Sequence, residues 1–223
     1  MLPRTPEAFA QAVDEAWQPE RFPSRAISEA ERRNAIDVLI PNWFERYGDP
    51  DLAAEATETR FHFELDDATL TGKIDRIGPG PDGRRRITDF KTGRGDNAGP
   101  AAESLQLGIY YLAVAECEDL EAYRPIDAVE LAFLAGTKAR SETAKVVEWR
   151  AEPEEEAGYA TRMRERVRGL VRHVRDLSSD DGYTANTAAD CFFCGFRTMC
   201  SRYPEGMPVF ETARSAAPVG SAS

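Results

Sequence analysis

Apolar and polar positions follow three different rhythms along this chain, and each predicts a different kind of element. Near the N-terminus the spacing is helical. Thr5 before Pro6-Glu7 has the form of a capped helix start, predicting a helix to about Trp17. The proline-containing stretch from Gln18 to Arg25 reads as a loop. Ser28 and Glu31 have capping-box spacing for a second helix that ends at Tyr47-Gly48, with Pro41 kinking or splitting it.

From Thr57 the period changes to two. Arg60 to Leu65 alternates polar and apolar residues, as a half-buried strand does, and Leu70–Ile77 and Arg85–Phe90 are two further strands. The run Gly78-Pro79-Gly80-Pro81-Asp82-Gly83 is a turn by composition, so the three strands form an antiparallel meander. After a polar, glycine-rich loop from Gly93 to Pro100, the helical period returns. A helix runs from Glu103 to about Cys117 with Leu105, Ile109, Leu112 and Ala113 on one side. Asp127–Ala135 is a buried strand and Lys145–Trp149 a weaker one. Met163, Val167, Leu170, Val171, Val174 and Leu177 then mark a long amphipathic helix. This order describes an α/β domain with a mixed sheet. It divides into an N-terminal helical segment (1–56), a core (57–152), a C-terminal helix with a cysteine cluster (153–211) and a disordered Ser/Ala/Gly/Pro tail (212–223).

Composition limits the partners. With 42% hydrophobic and 30% charged residues, the chain reads as a soluble globular protein. No apolar run approaches the roughly 20 residues of a membrane span, and no leader pattern opens the chain, so a cytoplasmic address is expected. The formal net charge of −11 argues against broad affinity for nucleic acid. A groove, however, needs only local positive potential. The lysines are Lys73, Lys91, Lys138 and Lys145, and two of them fall within the chemistry-bearing segment.

That segment consists of Gly72-Lys73-Ile74-Asp75-Arg76-Ile77 and Ile87-Thr88-Asp89-Phe90-Lys91-Thr92-Gly93. Asp89 and Lys91 are two apart and share a strand face. Pairing across the glycine turn brings Asp75 towards Asp89. Two carboxylates suffice for Mg2+, which keeps water and substrate phosphate among its ligands. A neighbouring lysine can orient the attacking water and offset charge on the phosphorane. Taken alone, Asp-x-Lys at a strand end is more often a surface ion pair worth under about 1 kcal/mol. The next helix carries Gln106 and Tyr110 one turn apart on a common face.

Gly-x-Ile-Asp-Arg-Ile, Ile-x-Asp-Phe-Lys-Thr-Gly and Gln-Leu-x-x-Tyr, in this order, resemble the motif set of RecB-like nucleases of the PD-(D/E)XK superfamily. Nuclease domains of AddB- and AdnB-type helicase–nucleases and the CRISPR-adaptation nucleases are similar. The resemblance covers roughly residues 58–204. It implies a restriction-endonuclease-like core, a mixed sheet flanked by helices. It further implies Asp75 and Asp89 as ligands of Mg2+ or Mn2+, the Phe90 carbonyl as another ligand, Lys91 as catalytic lysine, and Gln106 and Tyr110 as residues holding the site and the DNA strand. Glu58 matches an acidic position in relatives, although Glu58 and Glu64 read more simply as a solvated strand face. The upstream histidine that completes such metal sites is missing: His62 and His173 fit no such pattern and read as structural or surface residues.

Cys191, Cys194 and Cys200 form Cys-x2-Cys-x5-Cys, with aromatic residues between the first two, which points to a metal centre rather than disulfides. In the resembling nucleases such a trio joins one upstream cysteine around a 4Fe–4S cluster. Only Cys117 is left here for the fourth position, and the family does not place its ligand there. Arg164, Arg168, Arg172 and Arg175 line one face of the last helix, as a solvated row or as phosphate contacts.

The function expected is metal-dependent DNA hydrolysis at single strands or duplex ends during double-strand-break processing and recombination, alongside a helicase motor on the same or a partner chain. The alternative is a catalytically inactive DNA-end-binding or assembly module. The chain contains no phosphate-binding loop for ATP.

Overall fold

In the computed structural model, residues 4–152, 156–179 and Cys200 are described. The chain divides into two compact units, Met1–Val171 and Arg172–Ser223. Cys191, Cys194 and the tail from 212 lie outside the described residues.

Helix α1, Pro6–Ala16, starts where the sequence places it, with the Thr5 hydroxyl accepting from Ala8 N at 3.3 Å. The second helix begins earlier than expected. Ser24, not Ser28, caps α2 (Arg25–Asn34), accepting from Ile27 N, while Ser28 is buried and accepts from the Trp17 indole at 2.9 Å. The capping-box spacing of Ser28 and Glu31 is therefore incidental. Pro41 does divide the helical stretch: a π-helical segment, Ala35–Leu39, precedes α3, Ile40–Tyr47, and Gly48 ends it. A proline early in a helix removes a backbone donor, and the wider π turn accommodates the loss.

Strands β1 (Ala56–Leu65), β2 (Ala68–Pro79) and β3 (Arg85–Lys91) form the expected antiparallel meander. Helix α4 (Leu105–Glu116) then carries the chain across to β4 (Ala128–Phe133), which pairs with β3 in parallel, and β5 (Lys145–Arg150) pairs antiparallel with β4. The five strands lie in sequence order in one mixed sheet. Helix α4 is capped by Ser104 and buries Leu107, Gly108, Tyr110, Tyr111, Leu112, Ala113 and Val114. Its apolar surface is thus broader than one stripe, because sheet and α5 (Glu156–Ser179) cover different sides of it. Met163 packs over Gly108, and Tyr159 stacks on Trp149 at 3.8 Å between ring centroids. The stripe of α5 is buried at Met163 and Val167, whereas Leu170 is 42% exposed.

The other sheet face has a polar core. Glu130 on β4 is fully buried and accepts from Tyr47 Oη and Thr88 Oγ1 at 2.8 Å each, from Arg46 at 2.8 Å and from Arg86 at 3.0 Å. This network fastens α3 to β3 and β4.

Candidate active site

Strand pairing creates the site by ending early. The last β2–β3 pair is Arg76 with Thr88, although β3 continues to Lys91. Beyond it the strands part, and the Asp75 carboxylate takes the place of a ladder partner, Oδ2 accepting from Phe90 N at 2.9 Å. Backbone N–H and C=O of one strand residue point the same way, so the Phe90 carbonyl lies on that same open edge. The opposite edge is occupied: Lys91 O accepts from Leu134 N at 2.8 Å.

Asp89 is 3% exposed. Its Oδ1 accepts from Gln106 Nε2 at 2.8 Å and from Tyr110 Oη at 3.5 Å. Its Oδ2 lies 2.7 Å from Lys91 Nζ but is buried without any hydrogen bond of acceptable geometry. Gln106 is the hub. Its Oε1 accepts from Lys91 Nζ at 2.8 Å and its Nε2 also reaches Tyr110 Oη at 2.8 Å. The Gln-x-x-x-Tyr spacing therefore presents both side chains to Asp89, one turn apart on α4. Phe61 meets the Tyr110 ring edge to face at 5.8 Å, backing the tyrosine from β1.

Burial pushes the Asp89 carboxyl above the usual carboxylate range, Lys91 opposes the rise and Asp75 adds to it. Burial also raises the Tyr110 hydroxyl, with Gln106 opposing. Two nearby carboxylates, one of them desolvated, favour a bound cation beside the single ammonium of Lys91. Among the described residues no three His, Cys, Asp or Glu side chains cluster as a metal site. The available donors are Asp75, Asp89 and the Phe90 carbonyl. That all-oxygen set fits a hard divalent ion that retains water.

Other sequence expectations fall elsewhere. Glu58 is exposed, has φ of 52° and forms an ion pair with Lys73, and Glu64 is exposed, accepting from Thr69 at 2.7 Å. His62 is an exposed β1 residue. Cys117 is buried behind α4, its thiol 3.2 Å from His62 O and pushed up by burial, which disfavours the thiolate a metal needs. Cys200 is half-buried and forms no disulfide among the described residues. Arg164 pairs with Glu116, and Arg168 pairs with both Asp66 oxygens at 2.9 and 3.0 Å, so these two arginines of the row are neutralised within the protein. Sequence reasoning missed the Glu130 network. Its one available signal was a charged residue within the otherwise apolar run of β4. Among the described residues no helix is long and apolar enough to cross a membrane.

A family profile described as the PD-(D/E)XK nuclease superfamily matches residues 2–201. No curated protein matches. Among solved structures, that of SSO0001 is similar at 16% sequence identity, covering 90% of this chain and 82% of the other, with a TM-score of 0.36.

Proposed function

For a chain that belongs to the PD-(D/E)XK nuclease superfamily, we propose metal-dependent DNA hydrolysis centred on Asp75, Asp89 and Lys91. The superfamily's usual reaction is phosphodiester hydrolysis, and Mg2+ or Mn2+ is its usual metal. The observation that carries the reading is the buried Asp89 carboxylate, ion-paired with Lys91 and bonded by Gln106, beside a second carboxylate, Asp75, on the open edge of β3.

Asp75, Asp89 and the Phe90 carbonyl would hold the cation. When bound, it polarises the scissile phosphoryl group and activates the attacking water. Lys91, held by Gln106 Oε1, would orient that water and offset charge on the phosphorane with its ammonium. Gln106 keeps Lys91 and Asp89 in register, since its one amide bonds both. Water attacks phosphorus, the P–O bond to the leaving nucleoside breaks, and the products are a phosphomonoester and a hydroxyl.

The three ordered motifs support the RecB-like assignment. With it come an exonucleolytic mode, work alongside a helicase motor, and a role in double-strand-break processing. A 4Fe–4S cluster on Cys191, Cys194 and Cys200 belongs to the same proposal; iron content and visible absorption of anaerobically purified protein test it. The rival reading, an inactive DNA-end-binding or assembly module, is favoured by the missing upstream histidine.

The deciding experiment is degradation of end-labelled single- and double-stranded DNA with Mg2+ or Mn2+, comparing wild type with Asp89→Ala and Lys91→Ala. Metal-dependent cleavage lost in both variants is expected. Folded wild type that binds DNA ends without cutting them would establish the inactive module.

A further inference from the structure

Beside this site, at the C-terminal ends of β3 and β4, lies a set of cations that the reaction scheme does not use. Strand register places Lys91, Phe133 and Lys145 in one row across β3, β4 and β5. Lateral neighbours in a sheet project to the same face, so Lys145 stands on the face of Asp89 and Lys91. Two strand spacings put its backbone about 10 Å from Lys91. Two loops lead from this row. The first follows β3 and carries Arg94; the second joins β4 to β5 and carries Lys138 and Arg140. Arg94, Lys138, Arg140 and Lys145 are all exposed, and among the described residues none of them forms an ion pair.

These loops are held in place. Gly95 N donates to Gly136 O at 2.8 Å, and Lys138 N donates to both Asp96 carboxylate oxygens at 3.0 and 3.2 Å. Asn42, reaching over from α3 and almost fully buried, donates to Leu134 O at 2.6 Å and to Ser141 O at 2.8 Å. The Lys145 stem and the Phe133 ring lie directly over Gly95, where a Cβ would come within 2.8 and 2.9 Å of them. Gly136 has φ of 62°, a conformation that suits glycine. The cations are thus presented by ordered backbone, which lowers the entropy lost on binding.

Charge indicates the occupant. The chain as a whole carries −11, so a polyanion is repelled from most of its surface and held where cations are left unneutralised. Of the four lysines, Lys73 pairs with Glu58 and Lys91 with Asp89, while Lys138 and Lys145 belong to this set. We propose that Arg94, Lys138, Arg140 and Lys145 form a phosphate-binding platform that grips the single-stranded DNA backbone flanking the scissile bond, on the β5 side of Lys91. The identity of the ligand rests on the nuclease reading.

The test is binding of fluorescein-labelled oligodeoxythymidine to the full chain in EDTA, followed by anisotropy across a KCl series, with cleavage kinetics in parallel. Each phosphate contact on a single strand contributes about 0.7 to the salt slope, so Lys138→Ala/Arg140→Ala/Lys145→Ala should lower it by about two. The same variant should raise KM with little change in kcat. Glu142→Gln removes the one carboxylate of the β4–β5 loop and should tighten binding, a gain that misfolding cannot mimic. An unchanged slope in the triple variant, or wild type that fails to bind, overturns the platform. If wild type cleaves while the triple variant keeps its KM and slope, the platform falls and the nuclease reading stands. If wild type binds with a platform-dependent slope but never cleaves, the platform stands and the nuclease reading falls.

Discussion

Asp89, proposed as a metal ligand, is a single side chain whose burial opposes stability. It is almost wholly buried and its carboxyl is held above the ordinary range, chiefly by desolvation. A carboxyl with a raised folded pKa binds more protons in the folded state than in the unfolded one. Stability from this group therefore falls as pH rises from the ordinary range through the raised value. Asp89→Asn keeps an oxygen for the Gln106 amide and removes the buried charge. It should abolish cleavage while raising Tm at neutral pH, and the Tm gain should shrink on acidification as wild-type Asp89 protonates. Thermal melts at several pH values check this, and a lower Tm at every pH would show that the carboxylate stabilises the fold. Gln106→Ala leaves the metal donors intact but frees Lys91 and Asp89 from their common partner. A loss of about 10–100-fold in kcat is expected, as for other residues that orient metal-site side chains, and steady-state kinetics at saturating metal would measure it.

At the level of elements, the N-terminal helices matter because α3 is joined to the sheet through charge. Glu130 is fully buried with Arg46 and Arg86. Its folded pKa is lowered because the two guanidinium groups and the Thr88 hydroxyl outweigh the desolvation that pushes it up. A depressed pKa means that this stabilisation is present above the ordinary value of 4.5 and is lost as pH falls through the folded value. Glu130→Gln takes one of three carboxylate partners from the buried Arg86, which keeps Asp82 and Glu148, and a cost of about 1–3 kcal/mol is expected at neutral pH. Urea denaturation should show that cost diminishing towards acid pH, where wild type loses the same charge. A cost that does not change with pH would mean that shape, not charge, holds α3. The β2–β3 pair contributes in the opposite way, by stopping at Arg76–Thr88 so that an edge of β3 stays open for Asp75.

Across the whole molecule, cation binding and folding should be linked. Anything that binds the folded chain and not the unfolded one stabilises it by mass action. Mg2+ or Mn2+ should therefore raise the Tm of wild type in a concentration-dependent way, and the rise should vanish in Asp75→Asn and in Asp89→Asn. Differential scanning fluorimetry against metal concentration makes the comparison. An equal rise in all three proteins would move the cation away from this site. The acidic balance of −11 makes nucleic-acid affinity dependent on a few places of local positive charge, and salt dependence is the property in which those places become visible.

Much of this architecture is legible in local chemistry. Period-two alternation marks β1 to β3, and Thr5 and Gly48 mark helix ends. The spacing of Asp89 with Lys91 and of Gln106 with Tyr110 puts each pair on one face, because strand and helix periods are properties of the backbone alone. What depends on distant residues is not legible in this way. Ser28 has the spacing of a capping residue but is engaged by Trp17, and Ser24 caps instead. The breadth of the buried surface on α4 follows from covering layers both before and after it in the chain, the sheet and α5. The parallel pairing of β3 with β4, which sets Lys145 in the row of Lys91, depends on the crossover through α4. Residue types and their periods along the chain determined which elements form and which chemistry they carry. Tertiary structure decided which carboxylate oxygen is buried without a hydrogen bond and which cations remain unpaired, because desolvation and charge neutralisation are set by neighbours that sequence distance does not reveal.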